Sequence, residues 1–90
     1  MSEYGYRFER EVRAVPLWLI ADYLRKLGGT QVEEGVFRGA GWQVSVRAME
    51  PVRVRNLRLG RVWLVVEARD EALFAAFYPR LEMMLWRGGG

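Results

Sequence analysis

Between Tyr4 and Val15 apolar and charged side chains alternate: Tyr4, Tyr6, Phe8, Val12 and Ala14 fall on one parity, Arg7, Glu9, Glu11 and Arg13 on the other. A period of two marks a strand with one buried face, because successive side chains point to opposite sides of a sheet. Arg10 sits on the apolar parity, at a strand end, a bulge or a snorkelling position, or as a charge aimed into a pocket. After Pro16 the period lengthens. Leu17, Ile20, Leu24 and Leu27 recur at helical spacing with Asp22, Arg25 and Lys26 between them, and Gly28-Gly29 supplies a C-terminal stop.

Two β-rich runs follow, Thr30 to Arg38 and Trp42 to Met49, joined by Gly39-Ala40-Gly41 as a hairpin connection. Glu50-Pro51 is expected to break the second run, Val52 to Leu59 to form a further strand bent near Asn56, and Gly60 to turn the chain again. Arg61 to Ala68, dense in Val62, Trp63, Leu64, Val65 and Val66, reads as a central strand buried on both faces or as one packed under a helix. A last helical stripe (Leu73, Phe74, Phe77, Leu81, Met84 and Leu85) begins after Asp70, an N-cap candidate, and runs to Trp86. Pro79 interrupts it: either the helix kinks and continues, or Leu81 to Arg87 is another strand.

The predicted order is β-α-β(4)-α, an α+β domain over residues 1–87 with a curved, mainly antiparallel sheet and both helices on one face, followed by a flexible glycine tail, 88–90. This element order resembles the TATA-binding-protein-like or helix-grip folds, without any sequence motif of that protein. A ferredoxin-like sandwich is the alternative if Leu81 to Arg87 is a strand. Helix, three strands and helix also resemble double-stranded-RNA-binding domains, whose basic residues at the second helix are replaced here by Arg69-Asp70-Glu71.

Composition narrows the chemistry. The chain has neither histidine nor cysteine, one lysine (Lys26), two serines (Ser2 and Ser45) and one threonine (Thr30). Triads, thiolate or imidazole metal sites and disulfides are therefore absent by inventory, and no P-loop or dinucleotide motif surrounds its glycines. A protein without enzymatic activity, catalytic residues, cofactor or metal is expected. No signal-peptide pattern or membrane-length apolar run is present, which suggests a cytoplasmic protein, and a single asparagine with no cysteine suits a heat-adapted source.

Arg47, Arg53, Arg55, Arg58 and Arg61 crowd into one stretch between apolar residues. If Arg53 and Arg55 share a face and Arg47 aligns beside them, a basic stripe results, with Trp42 or Trp63 as a stacking platform for nucleic acid. The bland counterpart is a solvated sheet face or a charge-guarded edge. Four tryptophans, four tyrosines and four phenylalanines in 90 residues exceed what a small core readily covers and suggest a protein interface, most simply a homodimer. The expected function is a binding module acting through a protein interface. Nucleic-acid binding through the arginines is one alternative, and carriage of a small apolar ligand between sheet and C-terminal helix is another. The ending Arg87-Gly88-Gly89-Gly90 resembles the diglycine tail that ubiquitin-like sulfur carriers present for adenylation, although those carriers place a hairpin before the helix.

Overall fold

The computed structural model of the chain describes residues 3–88. Five strands, β1 (Tyr6–Arg13), β2 (Thr30–Glu33), β3 (Val36–Gly39), β4 (Trp42–Val54) and β5 (Leu57–Ala68), and two helices, α1 (Leu17–Lys26) and α2 (Glu71–Arg87), follow in the order β1-α1-β2-β3-β4-β5-α2. The sheet is antiparallel throughout, with strand order β1-β5-β4-β3-β2. β5 lies between β1 and β4 with Val62, Leu64 and Val66 buried and the residues between them only half-buried, so it is a strand packed under the helices and not one buried on both faces.

The strand number is as expected, but two of the divisions are not. The run from Thr30 to Arg38 is a tight hairpin turned at Glu34-Gly35, where Gly35 has φ 73° and a Cβ would meet the Val46 carbonyl oxygen at 2.7 Å. Conversely, Glu50-Pro51 and Gly60 end nothing. β4 pairs with β5 from Trp42↔Ala68 to Val54↔Leu57, and the only shift of register lies between Met49 and Val52. There Glu50-Pro51 opposes Gly60 as a bulge, a location that tolerates a residue without an N–H. The real turn is Arg55-Asn56.

One face of the sheet carries the core. Val12, Val44, Val46, Val62, Leu64 and Val66 join Ile20 and Leu24 of α1 and Phe77, Leu81 and Leu85 of α2 in a single buried cluster. Trp42 stacks on Phe77 at 4.2 Å between ring centroids. Asp70 caps α2, accepting the Leu73 N–H at 2.8 Å. The helix continues through Pro79 to Arg87, so the strand required by a ferredoxin-like sandwich is not formed. Energetics explain the choice: an interior proline costs about 3 kcal/mol, whereas fully burying Leu81 and Leu85, 0% and 2% exposed, returns about 1.5–3 kcal/mol each.

Arg10 keeps an unbroken register opposite Leu64 on the helix-facing side of β1, so no bulge accommodates it. Its guanidinium instead donates to the Tyr78 hydroxyl at 2.9 Å and reaches the Glu82 carboxylate at 3.7 Å, tying β1 to α2. No helix among the described residues is long and apolar enough to cross a membrane.

Candidate functional site: the β4–β5 arm

The bulge does more than bend a strand. Before it, even-numbered residues of β4 face the helices, as the burial of Trp42, Val44 and Val46 shows. After it, Arg53 pairs with Arg58, which shares the parity of buried Val62 on β5, while Val52 and Val54 pair with Leu59 and Leu57 on the other face. The extra residue therefore reverses the faces.

This reversal breaks up the expected basic stripe. Arg47 lies on the outer sheet face, opposite Trp63. Arg53 and Arg58 lie together on the opposite face of the arm, and Arg55 occupies its tip. Arg61 belongs to the outer face but is committed: it donates to Glu11 at 2.7 Å and to the Glu50 carbonyl oxygen at 2.6 Å. Trp42 is buried at 5% exposure and offers no stacking surface, and Trp63 donates its Nε1–H to Glu9 at 2.9 Å.

Much of the outer face is a lattice of ion pairs and hydrogen bonds. Arg7 bridges Glu9 and Glu67, Arg13 and Arg61 share Glu11, and Arg38 and Gln43 extend the network toward Glu67. The hydrogen bond from Trp63, then that from Arg7, holds the Glu9 carboxyl below its ordinary value, and Arg61, then Arg13, does the same for Glu11. A carboxylic acid serving as a proton donor near neutrality needs the opposite shift. Among the described residues no group of acidic side chains is placed to hold a metal ion.

What the sequence did not suggest is a projecting arm. β1 accompanies β5 only to Arg61, with one further bond from the Ala14 N–H to the Gly60 carbonyl. β3 accompanies β4 only to Ser45, the Val46 N–H then bonding Gly35. Among the described residues Val52–Val54 and Leu57–Leu59 therefore have no strand beside them except each other. Val54 and Leu57 are 46% and 66% exposed. Arg53, Arg55 and Arg58 form no ion pair with any described residue. At the tip Arg55 has φ 57°, a region costly for a side chain of this size.

Beneath the arm runs a groove of about 530 Å³, walled by Val15, Leu17, Met49, Pro51, Arg58 and Leu59. Elsewhere Trp18, Met83 and Trp86 also project into solvent. The space under α2 is packed rather than hollow: Leu64, Val66 and Leu81 are fully covered there. Gly88, first of the three terminal glycines, closes α2 by donating its N–H to the Met84 carbonyl. The rest of the expected tail, residues 89 and 90, lies outside the described residues.

The fold and this surface define a small α+β domain of five antiparallel strands and two helices with a projecting arm. The chain belongs to the family described as archaeal MoaD-like protein, whose model matches residues 8–90. No curated protein matches it.

Proposed function

We propose that the chain is a cytoplasmic, non-catalytic interaction module whose working surface is the β4–β5 arm and the groove at its base, in a helix-grip variant of the α+β fold. One observation carries this reading: a hairpin extended beyond its neighbours combines exposed Val54 and Leu57 with three arginines that form no ion pair among the described residues. Arginine beside apolar side chains is the usual chemistry of a protein interface. The groove is open and the space under α2 is filled, which gives a carrier of apolar ligands no support.

The test is capture of partners from native extract by the full chain and by a Val54→Ser/Leu57→Ser variant. Specific partners retained by the first and lost by the second support the proposal; equal capture rejects the arm as the working surface. Generic RNA or DNA shifted at low salt, with sensitivity to Arg53→Glu, would favour nucleic acid instead.

A second reading comes from the family match, which likens the chain to MoaD and runs through the terminal glycines. It makes the diglycine end a sulfur-carrier tail. Intact-mass measurement of the protein from its native cells tests it, with replacement of a terminal oxygen by sulfur as the supporting result and an unmodified carboxylate in every fraction as the rejecting one.

A further inference from the structure

We infer that the arm's partner is a second copy of this chain, engaged about a two-fold axis beside the Glu50-Pro51 bulge. This rests on the arm being the working surface and goes further by naming what it meets. From Arg47 to Val54 the side of β4 that faced β3 has no strand along it among the described residues. The midpoint of that free edge is Glu50-Pro51. Full overlap of two such edges, antiparallel and related by two-fold symmetry, therefore places the axis there.

The remaining neighbours follow from register. Arg55 of one copy falls beside Val46 of the other, the residue bonded to Gly35 in the β2–β3 turn. Arg53 falls beside Ala48, which lines a depression together with Glu34 and Gly35. The arginines of each arm thus arrive at the β2–β3 turn of the other copy, with Glu34 on their face and Glu33 flanking the turn. Glu33 and Glu34 are exposed and, like those arginines, form no ion pair among the described residues. On the outer face Val54 comes to Arg47, whose cross-strand neighbour is Trp63.

The surface is self-complementary, positive arm to negative turn in both directions, as an isologous dimer requires. Pro51 has no N–H, and the bulge twists the edge. The pairing of the two edges is therefore interrupted at the axis and does not form a regular ladder, which also limits further strand addition.

Sedimentation equilibrium at tens of micromolar tests this with three proteins. Wild type is expected to be dimeric, and Arg53→Glu/Arg55→Glu and Glu33→Arg/Glu34→Arg each to dissociate more than about tenfold more readily, since each brings like charges together at both contacts. Mixed one to one, the two variants should pair again, because each arm now meets a turn of opposite sign. All substituted positions are exposed, and circular dichroism verifies the fold of each variant. A monomeric wild type, or a dimer indifferent to both reversals, overturns the second-copy inference. If arm-dependent capture of a different protein survives either result, the proposed function stands without it; if capture is also independent of the arm, both fall.

Discussion

Arg53 and Arg58 stand directly opposite one another across the β4–β5 arm. Like charges in that relation repel, and no described residue neutralises either one. A few residues away Arg55 holds a backbone conformation that glycine adopts more easily. Local costs gathered in one exposed hairpin that contributes nothing to the core are expected where a surface is kept for binding.

Arg58→Glu turns the repulsive pair into an attractive one. It should raise stability by about 0.2–1 kcal/mol, read as a higher denaturant midpoint with an unchanged slope, while weakening whatever the arm binds. A lower midpoint would show that the two arginines do not oppose each other in solution.

Leu57 and Leu81 separate surface from core. Leu57→Ser, at a position 66% exposed, should move stability by no more than about 0.5 kcal/mol. Leu81→Ala, at a fully covered position, should cost about 2–5 kcal/mol. Urea unfolding of both variants checks the contrast, and a large loss for Leu57→Ser would mean that the arm is packed against something.

The core was largely legible because burial leaves a periodic trace. The parity of Tyr6, Phe8 and Val12, the stripe of Ile20 and Leu24, and the N-cap at Asp70 all appear where the pattern predicts them. The arm was illegible for an equally physical reason. A bulge inserts a single residue and reverses the parity of everything beyond it, so Arg47 and Arg53, on one face by counting, lie on opposite faces in space. Proline and glycine were also misleading as terminators: Pro51 sits in the bulge, Gly60 continues β5, and the turn falls at Arg55-Asn56, which carries only a modest turn signal. The commitment of Arg61 to Glu11 joins residues from β5 and β1 and has no trace in local pattern.

Acid should weaken the outer face first. Glu9 and Glu11 are held below their ordinary value of 4.5 by hydrogen bonds from Trp63 and Arg61 respectively. A carboxylate depressed in the folded state stabilises it above the unfolded value, and that stability is lost as pH falls through the folded value. Thermal midpoints should be flat from neutrality toward 4.5 and decline below it, more shallowly in Glu11→Gln, which has no proton to take up there. Identical slopes for the two proteins would show that the Arg61 contact does not persist in solution.

Gly39 and Trp42 offer a local test of the packing that supports α2. The two residues pair across the β3–β4 hairpin, and a Cβ on Gly39 would run into the Trp42 ring at Cε2, Cζ2 and Nε1. That ring is buried and stacked on Phe77, so it can yield only by leaving the stack. Gly39→Ala should therefore destabilise the fold by about 1–3 kcal/mol, the usual range for overpacking, and alter the near-ultraviolet circular dichroism of Trp42. Glycine-to-alanine changes in strands are otherwise mild or favourable, which gives the expectation its sign. In a Trp42→Phe background the six-membered ring of the indole and its nitrogen are gone, and the same substitution should cost distinctly less. The difference between the two costs is a coupling energy that a double-mutant cycle measures directly, and a value near zero would mean that Trp42 does not lie over Gly39.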